Sequence, residues 1–255
     1  HIEAAGIHSG DSAAVFPPYK SKPEILDEMR DWTLRLARKL SVKGLMNIQF
    51  AEKDGKLYII EVNPRGSRTV PFISKSSGVD LVEAAVRVWM GEDLVTQGLV
   101  KERGSYAEGR CIMGWAIKEA VFSFDRFQHV DPILGPEMRS TGEVVGYGRT
   151  FGEAYAKSQA AASNKLPTSG RVIISVNSKD RKTIAPIAKS LQELGFHILA
   201  TKGTARDLFS EGILADVVLK TQDGHPNIVD YIRHHKADLV INTPMGSHSR
   251  KSDDD

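Results

Sequence analysis

Four polar side chains follow one apolar, strand-like run, and their types suit phosphate chemistry. Glu61 and Asn63 end the run within "IIEVNPRGSRTVPF", and Arg65 and Arg68 lie just beyond it. Carboxylate and amide oxygens are ligands that Mg²⁺ accepts, and arginine binds phosphoryl oxygens bidentately. The segment therefore predicts a magnesium–phosphate site. A half-exposed strand whose polar face is only solvated is an equally good alternative.

A β-hairpin is the element that must position these residues. Two runs of alternating apolar and polar residues flank Asp54 and Gly55, which is a strong hairpin signal. Glu61 and Asn63 are two residues apart in the second strand, so they share one face. Gln49, in the first strand, adds a third oxygen ligand only if strand pairing brings it to that face.

The length of the hairpin loop decides where Gln49 lies. A two-residue turn pairs Gln49 with Ile60 and puts Glu61 on the opposite face. A three-residue loop, Lys53–Gly55, with Gly55 left-handed, shifts the pairing by one residue and brings Gln49 beside Glu61. We predict the three-residue loop, because it also separates polar from apolar side chains. It assigns the apolar face to Ile48, Phe50, Tyr58, Ile60 and Val62.

The composition is that of an ordinary globular protein. The chain has 255 residues, 41% apolar and 26% charged, and its net charge is +2, so we expect neither nucleic acid nor a membrane as a partner. No apolar run approaches the ~20 residues of a membrane span. The single Cys111 cannot form an internal disulfide, which favours a reducing compartment and a cytoplasmic location. The ends, "HIEAAGIHSGDS" and "RKSDDD", predict a fragment of a longer protein.

The first part of the chain predicts an α+β arrangement. Ser21 and Glu24 have capping-box spacing, and apolar residues recur at helical spacing from there to about Leu40. Further predicted elements are a helix at Leu81–Met90, strands within Cys111–Phe124 and a helix at Phe151–Ser163. The segment "NKLPTSG" that follows has the composition of a linker.

From Arg171 onward, short apolar strands alternate with helices, which predicts a parallel sheet in an α/β domain. We therefore divide the chain into domains 1–165 and 166–255. Ligands of such sheets bind outside the carboxyl ends of the strands, where Gly203 precedes a helix N-terminus that suits a phosphate. Ordinary turn chemistry is the alternative. The candidate residues are Thr201, Thr204, Lys220, Asn242 and Thr243.

A family resemblance now adds to these patterns. The segment "MNIQFAEKDGKLYIIEVNPRGSRTVPFISKSSGVDL" resembles the ATP-grasp core of the carbamoyl phosphate synthetase large subunit, and so do "AGIHSGDS" and "DPILGPEMRSTGEV". The likeness covers nearly the whole chain, except for the stretch from Gly91 to Trp115. It implies the C-terminal lobe of an α+β ATP-grasp domain, followed by an α/β methylglyoxal-synthase-like regulatory domain that is truncated after its last strand.

The resemblance also implies roles for single residues. The positions that hold Mg²⁺ or Mn²⁺ around the ATP phosphates are Gln49, Glu61 and Asn63. Positions that contact the nucleotide are Gly6, Ile7, His8 and Ser9, together with Gln49 and Glu61. The arginines near the transferred phosphate are Arg65 and Arg68. The acidic positions that bind ornithine in some members are Glu3, Asp11 and Glu119. Positions that contact a nucleotide effector are Arg181, Thr201, Thr204, Lys220, Asn242 and Thr243.

The implied parent activity is ATP-dependent phosphorylation of carbamate to carbamoyl phosphate, which feeds pyrimidine and arginine biosynthesis. The implied partners are the rest of the large subunit, a glutaminase small subunit, and UMP or IMP as effector, with ornithine in some members. The chain contains no glycine-rich phosphate-covering loop, so we predict that it does not turn over alone. The alternatives are a non-catalytic effector-binding module with a degenerate ATP-grasp lobe, and another ATP-grasp ligase.

Overall fold

The structure, a computed structural model, describes residues 1–103, 105–107, 109, 111–124 and 133–243. It divides the chain after Lys165, within the segment whose composition predicts a linker. The two compact units, His1–Lys165 and Leu166–Asp255, are called here the N-terminal unit and the C-terminal unit. No helix among the described residues is both long and apolar enough to cross a membrane.

The N-terminal unit combines helices with two antiparallel sheets. Its strands are β1 (Ala14–Phe16), β2 (Asn47–Lys53), β3 (Lys56–Asn63), β4 (Trp115–Val121) and β5 (Gly142–Gly148). Its helices are α1 (Pro23–Lys39), α2 (Thr69–Ser77), α3 (Leu81–Trp89) and α4 (Phe151–Ala161). Strands β1, β4 and β5 form one sheet in that order, and β2 and β3 form the predicted hairpin.

Helix α4 lies directly against the backbone of β5. Ala116 and Ile117 of β4 are completely buried, as is Ala154 of α4. A methyl group at Gly146 would overlap the backbone of α4 at Ala154 and Ser158. The "GYG" pattern of β5 is therefore required for this close approach of helix to strand.

Two expectations about the N-terminal unit need correction, and one helix is not predicted. The predicted capping box is wrong: Lys22 is the N-cap of α1 and no side chain caps it, because the helix begins with Pro23, whose ring fixes a helical φ. Of the strands predicted within Cys111–Phe124, the described residues contain only β4, which begins at Trp115 after a turn closed by Gly114, with a φ of +93°. Helix α2 has no predicted counterpart, because Pro71, Ser74, Ser76 and Ser77 interrupt its apolar period.

The C-terminal unit has the predicted alternating order. It contains β6 (Arg171–Val176), α5 (Arg181–Glu193), β7 (His197–Thr201), α6 (Lys202–Ser210), β8 (Asp216–Val218), α7 (Ile228–Arg233) and β9 (Leu239–Thr243). All four strands are parallel, in the order β8-β7-β6-β9. Apolar side chains of α5 and α6 cover one face of the sheet, and those of α7 cover the other.

The strand order places a crevice at one edge of this sheet. From β6 the chain proceeds to β7 and β8 on one side and returns to β9 on the other. The order therefore reverses between β6 and β9, and ligands of open α/β sheets bind at such a point, outside the carboxyl ends of the strands. Thr243, predicted to contact an effector, ends β9 at this edge.

Candidate functional site

The hairpin brings Gln49 beside Glu61, but not by the predicted loop. Lys53 pairs directly with Lys56, so the turn has only two residues, Asp54 and Gly55. Both are left-handed, with φ of 55° and 72°. The three-residue loop is therefore wrong; the two-residue turn is favoured because its twist matches that of the strands.

A β-bulge restores the register that the site requires. Phe50 pairs with Ile59 and Gln49 pairs with Glu61, which leaves Ile60 as an extra residue in β3. Asn47 and Asn63 pair next, so all four polar side chains lie on one face. The predicted apolar face is partly wrong, because the bulge changes the alternation. Ile59 joins the apolar face, whereas Tyr58 lies on the polar face opposite Ala51.

A cavity of about 280 Å³ lies over this polar face of the hairpin. It is lined by seven of the residues predicted to bind ATP or metal: His8, Ser9, Gln49, Glu61, Asn63, Arg65 and Arg68. Gly6 and Ile7 are not among the lining residues. The His8 segment is fixed in place, since the His8 amide donates to the Gly135 carbonyl at 2.8 Å and its ring Nδ1 accepts from the Gly10 amide at 3.0 Å.

Three cationic side chains face the same cavity. Arg65 donates to the Gly66 carbonyl at 3.0 Å, and Arg68 contacts the Met138 sulfur at 2.7 Å. Within the described part of the chain, neither arginine makes a salt bridge to a carboxylate. The third cation is Lys118 of β4, which is 4% exposed. These positive charges suit an anionic ligand such as a polyphosphate.

Lys118 is a cavity residue that the sequence patterns do not identify. Its Nζ donates to the Ser9 carbonyl at 3.3 Å and lies 3.9 Å from Glu143. Burial lowers the pKa of Lys118, the charge of Glu143 opposes that change, and the charge of Arg68 adds to it. The available signal is a charged pair, Lys118 and Glu119, in the middle of an otherwise apolar strand.

Asn47 also lines the cavity and is likewise missed. It lies two residues before Gln49 on the same strand, so the period of two could have identified it.

The donor set suits a magnesium-like cation that is shared with phosphate. It offers one carboxylate, from Glu61, and amide oxygens from Gln49, Asn63 and Asn47 on one face. The described residues contain no cluster of three His, Cys, Asp or Glu that could hold a metal by themselves. A single carboxylate with neutral oxygen donors leaves coordination positions for phosphate oxygens and water, as Mg²⁺ prefers.

The three acidic residues predicted to bind ornithine differ in their surroundings. Asp11 accepts hydrogen bonds from the Arg139 and Ser140 amides, each at 2.8 Å. Burial acts to raise the pKa of Asp11, but the bonds from Ser140 and Arg139 outweigh it and hold the pKa below its usual value. Asp11 therefore joins two segments of backbone.

Glu119 and Glu3 are less fully compensated, although Lys118 and hydrogen bonds from the Ala120 amide and Gln159 act to lower the pKa of Glu119. Burial, and then the like charge of Glu3, raise the pKa of Glu119, which accepts a hydrogen bond from Gln159 at 2.7 Å. The Glu3 Oε2 is buried without a hydrogen-bond partner among the described residues. A buried Glu119 beside a partly buried Glu3 favours a cationic ligand.

In the C-terminal unit, the predicted threonines lie at the carboxyl ends of the strands. Thr201 and Thr204 are buried, with their hydroxyl oxygens 3.3 Å apart, and the Val176 amide donates to Thr204 at 3.4 Å. The Thr243 hydroxyl accepts from the Asn177 amide at 3.0 Å, across the crevice between β6 and β9. The sequence patterns do not identify Asn177.

The remaining predicted effector contacts are partly or fully exposed. Lys220 and Asn242 are exposed. Arg181, the first residue of α5, forms a salt bridge with Asp207 of α6 at 2.9 Å. The sequence patterns do not identify Asp207 either, and the pair joins the N-terminus of α5 to the middle of α6.

Comparison with known proteins covers both units. Residues 2–97 match the family described as "Carbamoyl-phosphate synthase L chain, ATP binding domain", and residues 183–255 match "MGS-like domain". The carbamoyl phosphate synthase large chain of Pasteurella multocida is 49% identical over 247 residues, which is 96% of this chain and 22% of the relative. That of Methanosarcina barkeri is 45% identical over 251 residues, 98% of this chain and 61% of the relative. That of Gemmatimonas aurantiaca is 46% identical over 255 residues, 100% of this chain and 23% of the relative.

The chain thus spans from 22% to 61% of the length of these relatives. The resemblance expected from "EVNPR" and "PEMRSTGEV" is confirmed, and so is the presence of an ATP-binding segment followed by an MGS-like domain. This chain is a homologue of part of the carbamoyl phosphate synthase large chain, and it contains an ATP-binding segment and an MGS-like segment.

Proposed function

We propose that the hairpin cavity binds the phosphates of ATP with Mg²⁺ or Mn²⁺, and that it contributes to phosphorylation of carbamate within a larger enzyme. The observation that supports this most is the pairing of Gln49 with Glu61 at the bulge, in a cavity that Arg65 and Arg68 also line. Oxygen ligands and guanidinium groups in one cavity are what a metal–polyphosphate needs.

Each group in the cavity has a distinct part in this proposal. Glu61, with Gln49 and Asn63, would hold the metal ion, whose positive charge offsets that of the phosphate oxygens. Arg65 and Arg68 neutralise charge on the transferred phosphoryl group. Phosphoryl transfer needs mainly positioning and charge neutralisation, so no nucleophile from the protein is required.

Equilibrium dialysis with Mg-ATP tests this site directly. Glu61→Ala removes the only carboxylate among the proposed ligands, so we expect binding to weaken at least about tenfold. Glu52→Ala is the matched control, because Glu52 is on the same hairpin but pairs with Leu57 on the other face. Equal binding by wild type and Glu61→Ala would refute the metal site and leave a degenerate ATP-grasp lobe.

The rest of the enzyme belongs to the same proposal. The partners would be the rest of a large chain and a glutaminase small subunit, in the cytoplasm, with the product entering pyrimidine and arginine biosynthesis. The chain by itself is expected to be inactive. Carbamoyl phosphate formation from ATP by this chain alone, measured by trapping the product, would contradict that expectation.

A second proposed function is effector binding by the C-terminal unit. Helices α5 and α6 begin at the carboxyl edge of the sheet with Arg181, Lys182 and Lys202, and neither has an acidic residue in its first turn. Helix N-termini attract anions, and basic first turns add to that attraction. A nucleoside monophosphate, UMP or IMP, is the proposed ligand, with Thr201, Thr204, Lys220, Asn242 and Thr243 near it. Calorimetric titration with UMP and IMP tests it, and an absence of heat with both would refute it.

Ornithine is the proposed ligand of the acidic residues in the N-terminal unit. The raised pKa of Glu119, caused by burial and by Glu3, and the unpaired oxygen of Glu3 support a cationic partner. Glu119→Gln should weaken ornithine binding in equilibrium dialysis. Unchanged binding would leave Asp11 and Glu119 with structural roles only.

A further inference from the structure

Arg181 lies at the N-termini of two helices, where a positive charge is unfavourable. It is the first residue of α5, and it also packs against the first turn of α6. A methyl group at Gly203, the second residue of α6, would lie 2.8 Å from Arg181 Nη2. Both helix ends carry partial positive charge, so a guanidinium here needs an anion beside it.

Asp207 supplies that anion in the structure. It lies four residues after Gly203, on the same face of α6, and accepts from Arg181 Nη1 at 2.9 Å. The Arg181 bond holds the pKa of Asp207 below its usual value. The other carboxylate oxygen accepts from Arg206 Nε at 3.2 Å. One carboxylate thus serves two arginines.

This arrangement leaves Arg181 incompletely satisfied. Its Nε is buried and has no hydrogen-bond partner in the part of the chain that the structure describes. An unsatisfied buried donor is unfavourable, so rotation of the guanidinium toward a new acceptor is favoured. Asp207 would not be left without a counter-ion by such a rotation, because Arg206 remains bound to it.

We propose that Asp207 is an internal competitor for Arg181, which occupies the guanidinium until a phosphate group displaces it. The inference rests on the proposed effector function of the C-terminal unit. It adds that affinity for the effector is set by an exchange of carboxylate for phosphate at Arg181. Phosphate binds a guanidinium bidentately and carries more charge than a carboxylate, so the exchange proceeds when the ligand is present.

Isothermal titration with UMP, IMP and inorganic phosphate tests the competition. Asp207→Asn removes the competing charge and keeps the shape of the side chain. The Asp207 pair is partly exposed, so we expect about two- to fivefold tighter binding. Each of the three ligands that binds should show the same gain in affinity, because the proposed contact of Arg181 is to the phosphate group alone.

Asp216→Asn is the matched control. Asp216 is in the same unit and is also paired, with His197 Nε2 at 2.8 Å, but it begins β8 at the opposite edge of the sheet. The variant removes one negative charge as well, so its affinity should equal that of wild type if the effect is local. An equal gain in both variants would show a general charge effect and would overturn the proposal.

Each remaining outcome is also decisive. Weaker binding by Asp207→Asn would show that Asp207 orients Arg181 for the ligand, and unchanged binding would show no competition; either overturns the inference while the effector site stands. Binding by neither protein would refute the effector site and the competition with it. Asp207→Ala, checked by thermal unfolding, repeats the test if the Asn variant does not fold.

Discussion

Arg68 and Arg181 are both proposed to bind a phosphate, but they await it in different states. Arg68 lines the hairpin cavity and makes no salt bridge to a described carboxylate. Arg181 is bound to Asp207 at 2.9 Å. A ligand of the first site meets a guanidinium that contacts the Met138 sulfur, a weak acceptor, whereas a ligand of the second must exchange with a carboxylate.

The pKa values of two carboxylates, one in each unit, are shifted in opposite directions. Glu119 is buried and near Glu3, so its pKa is raised. Asp207 is held by Arg181 and then by Arg206, so its pKa is lowered. In the N-terminal unit, Arg65 and Arg68 line the cavity without a salt bridge to a described carboxylate, whereas in the C-terminal unit Arg181 and Arg206 are both paired with Asp207. Such a difference is expected between a preorganised phosphate site and a site that responds to ligand concentration.

The largest expected effect is on stability, and it concerns two glycines: Gly146, which packs against backbone, and Gly203, which packs against a movable side chain. Gly146→Ala places a methyl group against the backbone of α4, which cannot move without losing the sheet contact, so we expect a loss of at least about 3 kcal/mol in unfolding free energy. Gly203→Ala meets only the end of the Arg181 side chain, so it should unfold almost as wild type. Urea denaturation of both variants checks this, and equal losses would contradict the distinction.

Replacing Arg68 or Arg181 with glutamine should weaken ligand binding in both cases but lower stability only for Arg181. Arg68→Gln should weaken Mg-ATP binding about tenfold with almost no change in the melting temperature, because among the described residues Arg68 loses a contact with the Met138 sulfur, a weak acceptor, and no salt bridge. Arg181→Gln should weaken UMP or IMP binding and also lower the melting temperature slightly, since Asp207 loses a partner. Nucleotide titration and calorimetric melting of each variant provide the two measurements. A lower melting temperature for Arg68→Gln would show that Arg68 is structurally committed.

Neutralising Glu119 and neutralising Asp207 should change the stability of the protein at pH 7 in opposite directions. The raised pKa of Glu119 means that its charged form destabilises the folded state as pH rises above the ordinary value of 4.5. Glu119→Gln should therefore raise the melting temperature at pH 7, and the gain should vanish toward pH 4. The lowered pKa of Asp207 means the reverse: Asp207→Asn should lower the melting temperature at pH 7, and this loss should shrink as the pH falls below the ordinary value of 3.8. Melting curves across this pH range check both signs.

The parts of the fold that follow from local periodicity agree with the sequence patterns. The hairpin, α3, α4 and the alternating strands and helices after Arg171 are all predicted. Contacts across long stretches of sequence are not: Lys118 reaches Ser9, and Arg181 reaches Asp207, by packing that no local pattern encodes. The register of the hairpin is intermediate. The chemistry of a metal site predicts that Gln49 and Glu61 share a face. It does not predict the β-bulge that produces this pairing.

The β-bulge accommodates Ile60 as an extra residue while Gln49 stays paired with Glu61. Deletion of Ile60 should have the smallest effect of the changes considered. Without Ile60, a two-residue turn pairs Ile59 with Phe50 and Glu61 with Gln49 in regular alternation, which is the pairing already present. Deletion of Ile60 should therefore leave Mg-ATP binding within about twofold of wild type. Deletion of Ala51 from the other strand should instead move Gln49 out of line with Glu61. Mg-ATP binding should then weaken to about the extent expected for Gln49→Ala, because both changes remove Gln49 from the site. If deletion of Ile60 abolished binding, the bend of the bulge itself, rather than the pairing it permits, would be what positions Glu61.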